Sequence, residues 1–284
     1  MARRPPARLT ARLTARVALA CAFALAGALP AAAQHPERSA AAAAIAATPD
    51  IAGIRLGMSE GEAMAVLQAR YPQAKTRRVM RHFPYSDGAR ELSTPEYLWL
   101  IEAPLNANDV LSMQFSALPG PQRIVAIKRR SAWPGGADRE ALVQGLIAEF
   151  GTPTVVNSRT DSIAWAQPDR PACWRMTPRS THFLSAGSGG DILDLIRRAQ
   201  RAGVAPRDPS RCGYAVRASF QGRPVRRLTV SLSDLGAWAA SVTRSQAWVA
   251  GLEAQARARR AERPRAEPPP ASPPPEQVGG DPPL

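Results

Sequence analysis

Three histidines, three cysteines and scattered carboxylates are the residues of this 284-residue chain with chemistry to offer. A nucleophile needs a base within hydrogen-bond reach and a further group to orient that base. No G-x-S-x-G, H-E-x-x-H or C-x-x-C occurs. His35 lies near the start of the chain, His82 sits beside Arg81, and His182 has hydroxyl neighbours in "STHFLS". A hydrolase using His182 or His82 is therefore one reading, and ordinary strand histidines are the simpler one. "SAGSGGDILD" is the one glycine-rich run that opens a helix, and exposed amides there can hold an anion. It lacks the lysine and spacing of a phosphate loop, and Asp191 already occupies the N-terminal charge position. Asp191 and Asp194 share a face but bring no further oxygen ligands, so neither a metal nor a cofactor is expected.

The cysteines say more about compartment than about catalysis. Arg3, Arg4, Arg8, Arg12 and Arg16, an apolar run from Val17 to Leu29 and the small residues Ala31, Ala32 and Ala33 are the parts of a cleavable secretory signal. Residues 1–33 are expected to be removed, Cys21 with them, leaving a periplasmic or secreted protein with no transmembrane helix. Cys173 and Cys212 then remain, without metal-type spacing, and in an oxidising compartment they are expected to form one disulfide.

The chain has 37 basic and 23 acidic residues, and the signal segment removes five arginines and no acid, so a basic surplus persists. It is clustered: Lys75, Arg77 and Arg78; Lys128, Arg129 and Arg130; Arg223, Arg226 and Arg227. In an exported protein the candidate anionic contacts are glycolipid, cell-wall polymer or an acidic protein face, and nucleic acid is not expected.

The periodicity places elements around these residues. Residues 34–48 are alanine-rich with no apolar face, and 264–284 are proline-rich, so both are expected to be disordered. In "IAGIRLGMSEGEAMAVLQARYP", Ser59 and Glu62 form a capping box that starts a helix at Glu60, and Gly57 serves the turn before it. Alternating segments follow. They place Tyr97, Trp99 and Ile101 on one face, Leu111, Met113 and Phe115 against Ser112, Gln114 and Ser116, and Val125 and Ile127 opposite Ile124 and Ala126. The plan then restarts: a helix capped by Asp138 and stopped at Gly151, then strands, interrupted by an insert at 174–211 that carries its own helix. This predicts an α+β fold of tandem helix-plus-antiparallel-meander units at 49–132 and 133–235, followed by a C-terminal helix at 236–263.

"GIRLGMSEGEAMAVL" is similar to the G-[IV]-x-L-G-M-[ST] helix opening of many exported bacterial proteins, including the outer-membrane assembly lipoprotein family BamE. The duplicated helix-then-meander plan resembles the modules of β-lactamase inhibitory proteins. The resemblance implies export and an α+β module, and the lipidated cysteine of the assembly lipoproteins is missing here. With no catalytic constellation, the expected role is a non-enzymatic binding or assembly module. Its exposed sheet face and disulfide-pinned insert would meet an envelope protein. A binder of anionic glycolipid or cell-wall polymer is the alternative.

Overall fold

The computed structural model describes residues 49–174, 176–177, 180–181 and 183–262. The signal-type segment, the alanine-rich leader, the proline-rich tail, His35 and His182 lie outside them. Strands β1 (Asp50–Ile51) and β2 (Ile54–Arg55) pair at the start. Gly57 then turns the chain with φ +81 and donates to the Ile124 carbonyl at 2.8 Å, a left-handed backbone that a side chain would strain. Helix α1 (Glu60–Arg70) begins at a reciprocal cap: Ser59 Oγ accepts from the Glu62 amide at 3.3 Å and Glu62 Oε2 from the Ser59 amide at 2.7 Å. Ala63 and Leu67, one turn apart, are its buried residues.

The first meander comprises β3 (Arg77–Arg81), β6 (Tyr97–Asn106), β7 (Asp109–Phe115) and β8 (Ile124–Ala137), with a small hairpin of β4 (Pro84–Ser86) and β5 (Glu91–Ser93) between its first two strands. Helix α2 (Arg139–Phe150) follows, capped by Asp138 accepting from Ala141 at 2.7 Å and ended at Gly151. The second stretch holds β9 (Val155–Asn157), β10 (Ser162–Ala166), the short pair β11 (Met176–Thr177) and β12 (Ser180–Thr181), and helix α3 (Ile192–Arg201). After a 3-10 turn at Pro209–Arg211 come β13 (Tyr214–Gln221), β14 (Val225–Asp234) and the long helix α4 (Leu235–Glu262).

Both stretches feed one antiparallel eight-stranded sheet ordered β3-β6-β7-β8-β14-β13-β10-β9. The fold is a mixed α+β structure in which helices cover both faces of a large sheet. Helices α1 and α2 close the first face over Leu111, Met113, Phe115, Ile127 and Trp165. Helix α3 and the start of α4 close the second over Ala126, Ala164 and Ala215, together with Cys173, Trp174 and Cys212. The sheet thus has an apolar core on each side, and the bare binding face expected from alternation is not present among the described residues.

Two bulges also correct the strand faces. Met80 pairs with Leu98 and Val79 with Leu100, which leaves Trp99 as an extra residue in β6. A bulge reverses the alternation beyond it. Leu98 and Ile101 therefore join the first core, while Trp99 and Leu100 face the second, and Tyr97, Trp99 and Ile101 do not share a side. The same happens at Val125, between the Gln114–Ala126 and Phe115–Ile124 pairs, so Ile124 joins Ile127 and Val125 joins Ala126. In β7 the alternation runs through, with Leu111, Met113 and Phe115 in the first core.

Asp234 closes β14 and caps α4, its Oδ1 accepting from the Ala237 amide at 2.8 Å. Burial raises its pKa above the ordinary carboxylate value, against the opposing pull of that amide and of Arg170. A raised folded pKa means that Asp234's favourable contribution is complete below the ordinary aspartate range and is lost as pH rises through the raised value. Asparagine caps about as well as aspartate. Asp234→Asn is therefore expected to gain stability relative to the wild type as the pH of urea unfolding is raised from about 4 to about 7. A difference that stays constant across that interval would refute this assignment.

Candidate functional site

The bulge at Trp99 helps to form a groove on the second face. It aims Trp99 outward beside Tyr97, and the Arg81 guanidinium lies 3.3 Å from the centroid of the Trp99 ring, a cation–π contact. Phe83 stacks on Tyr97 with ring centroids 5.1 Å apart. These rings form one wall of a groove of about 540 Å³ whose opposite wall is α4, presenting Trp238, Val242, Gln246, Val249 and Glu253. Those positions recur every three or four residues, so they form one stripe along the helix. Gln114 of β7 lies at the floor, and Ser188 to Asp191, at the start of α3, line the groove as well.

Small residues hold α4 at this height. Ser241 Oγ accepts from the Ala117 amide at 2.9 Å, and Ser245 Oγ donates to the Leu118 carbonyl, so the helix is tied to the loop after β7 by its hydroxyls. Farther along, Arg260 reaches Asp87 at 3.3 Å in the turn of the β4–β5 hairpin. The helix is thus tied within the Trp238–Glu253 stretch that lines the groove and again beyond it.

The groove's polar groups are few and mostly occupied. Asp191 Oδ1 accepts from the Leu193 amide at 2.8 Å, and Glu253 pairs with Arg257 at 2.5 Å. Gln114 Oε1 accepts from the Gly187 amide at 2.9 Å. Burial raises the pKa of the Tyr97 hydroxyl, opposed by Arg81, so it stays a neutral hydrogen-bonding group. Ser188 Oγ is buried without a partner among the described residues. Among its described lining residues there is no histidine or cysteine. Such an arrangement can hold an apolar or aromatic group and orient it through a few hydrogen bonds.

A second cleft, of about 730 Å³, lies over Trp165 and Tyr214 with Asp50, Glu149 and Arg170 at its margin. Burial, and then the neighbouring Asp50, raise the pKa of Glu149.

The basic residues singled out in the sequence do not form one patch. Arg77 pairs with Glu102 at 2.5 Å and Arg78 with Glu60 at 2.6 Å, both on the β3 edge, where Lys75 is exposed. Arg223, Arg226 and Arg227 are exposed at the β13–β14 turn, and four strand steps separate β3 from β14. Strand alternation splits the middle cluster. Arg129 makes a bidentate pair with Asp109, with Nε–Oδ2 at 3.0 Å and Nη2–Oδ2 at 2.6 Å, while Lys128 and Arg130 turn to the other face. His82 is exposed and makes no hydrogen bond among the described residues. Cys173 and Cys212 are joined, with Cα atoms 5.5 Å apart. No group of three or more metal-ligating side chains occurs among the described residues, and no helix there is long and apolar enough to cross a membrane.

Sequence periodicity puts Trp99 on a strand face and Trp238, Val242 and Val249 on a packing stripe, and it gives no sign that they meet in one groove. The signal that could reveal the groove is the unbroken apolar run "YLWLI", which strict alternation does not produce in a strand with one wet face. The class these features define is a two-face-covered α+β sheet protein with an aromatic groove. Compared with protein-family models, curated proteins and solved structures, the chain has no match in any of the three.

Proposed function

We propose that this is an exported, non-enzymatic binding module of the bacterial envelope. Its ligand is an extended apolar segment of a partner protein, seated between α4 and the bulged strand β6. The observation that carries the reading is the lining of the groove: Phe83 and Trp99 are part-exposed there, backed by the nearly buried Tyr97 and Trp238, with Arg81 and Gln246 at hand to fix orientation. Large rings that leave water on binding supply most of an interface's free energy, and polar groups at the margin set register. The secretory-type N-terminus and the paired cysteines favour an oxidising location. The helix-led strand order is the feature on which the proposed likeness to the duplicated modules of BamE-like and β-lactamase-inhibitory proteins rests.

A photo-crosslinking residue placed at Gln246, which is exposed and lines the groove, tests this in the native envelope fraction. The expected result is a discrete adduct that disappears when Trp99→Ala is added. No adduct, or one indifferent to Trp99, would sink the proposal.

A further inference from the structure

Strand register assembles a polar row across the second face, beside the aromatic groove. Glu102 pairs with Ser112, Ser112 with Lys128, Lys128 with Ser231, and Ser231 with Arg217. One end is neutralised, because Glu102 carries Arg77 at 2.5 Å. The other end is not. Arg217 Nε is buried and meets no acceptor, and Arg217 makes no ion pair among the described residues. Lys128, half-buried, makes no hydrogen bond or ion pair there either. Ser231 lies between them, 4 % exposed.

Other arginines of this fold show what a compensated guanidinium looks like. Arg129 grips Asp109 and Arg139 grips Asp161 at 2.7 Å. No acid among the described residues plays that part for Arg217. Burial pulls its pKa down, and no charged neighbour contributes. Burial also depresses the Lys128 pKa, Arg130 adds to this, and Glu102 only partly opposes it. Lys128 and Arg217 are part-buried, so each has lost some of the water that would solvate its charge, and a charge so placed without a partner is unfavourable to the fold. An unsatisfied buried donor in a native structure therefore asks for a compensating group.

We propose that Lys128, Ser231 and Arg217 form a binding site for a phosphate or sulfate group, with Arg130 at its edge. Neighbouring strands lie about 4.8 Å apart, so the two basic stems rise about 10 Å apart with the serine hydroxyl between them. A tetrahedral oxyanion bridges that span, taking the Arg217 fork on one side and the Lys128 ammonium on the other. The loop beside the row runs near Lys128: Gly187, at φ +75, donates its amide to Gln114 Oε1, and a Cβ there would lie 3.5 Å from Lys128 Nζ. The anion compensates charges that the protein itself leaves unpaired, which distinguishes this site from the solvated arginines at the sheet edge and hairpin.

Thermal unfolding of the full chain tests the site, in sodium phosphate or sulfate against sodium chloride at matched ionic strength. The expected result is a rise in Tm of about 5 °C or more once the anion reaches about 100 times its Kd. Lys128→Met/Arg217→Met should abolish the rise while unfolding in chloride no lower than the wild type. If that double variant does not fold, Lys128→Met and Ser231→Ala singly should each weaken phosphate binding about tenfold, the worth of one charge-assisted contact. Lys75→Met/Arg223→Met and Trp99→Ala should leave the rise intact, which separates this site from general basicity and from the groove. Glycerol 3-phosphate and soluble dihexanoyl phosphatidic acid distinguish the sources: binding of both assigns the site to a lipid headgroup, and binding of the first alone to a free phosphate ester. An equal rise in chloride, or a full rise in the double variant, would overturn the proposal.

Discussion

Replacing Cys173 and Cys212 together by serine is expected to lower the free energy of unfolding by about 4 kcal/mol, the loop-closure value for a cross-link of this length. The two cysteines are 39 residues apart in sequence, and both are completely buried. They sit in the second-face core with Trp174, Leu235 and Trp238, at the point where the insert returns to the sheet and α4 departs from it. Backbones meet closely there: a Cβ on Gly236 would lie 2.5 Å from the Cys212 carbonyl oxygen and 2.8 Å from that of Ser210. Without the cross-link the unfolded chain regains the freedom of the whole insert. The folded chain must also bury two hydroxyls in an apolar cluster, which adds to the loss. Urea unfolding of the double variant, beside the wild type with and without reductant, measures the effect. Reduction should reproduce most of it. A loss below about 1 kcal/mol would mean that core contacts alone hold the insert.

That expectation rests on a pairing legible in the amino-acid sequence itself, because only two cysteines lie outside the signal-type segment. Other features are legible for equally local reasons. The cap of α1 is written in Ser59 and Glu62, that of α2 in Asp138, and the buried face of α3 in Ile192, Leu195, Ile196 and Ala199. Each involves groups a few residues apart, so sequence spacing and spatial distance carry the same information. The bulges at Trp99 and Val125 are of another kind. Which residue is squeezed out of a ladder depends on neighbouring strands, and one extra residue moves every later side chain to the opposite face. The pairing of β8 with β14, which makes one sheet from two helix-led stretches, is likewise a long-range event. It also determines which cations become neighbours. Lys128 stands out in "KRR", but Arg217, isolated in "YAVRASF", joins it only through the shared partner Ser231. Composition directs attention to runs of basic residues, whereas the unpaired charges of this sheet come from separate strands.

Two tryptophans on different strands of the sheet show how far identical chemistry can be divided between stability and recognition. Trp165→Ala is expected to cost about 3–5 kcal/mol of unfolding free energy, the range for deleting a large ring from a filled core. Its ring is 4 % exposed and packs 5.4 Å from Phe150, and its Nε1 donates to the Gly151 carbonyl at 2.8 Å. It thereby ties the end of α2 to the sheet, and its removal leaves both a cavity and a carbonyl short of one donor. Trp165→Phe should recover most of the loss, retaining the ring while omitting the hydrogen bond, which is worth about 1 kcal/mol. Trp99→Ala should cost only about 1 kcal/mol, because the ring is part-buried at the groove, touching the edge of the second core on one side and Arg81 on its face. Its effect belongs in binding: loss of the crosslinked adduct in a protein whose unfolding midpoint barely moves. The opposite pattern, a protein that unfolds readily without Trp99 and tolerates the loss of Trp165, would place the structural burden on the second face and remove the groove's claim to a separate function.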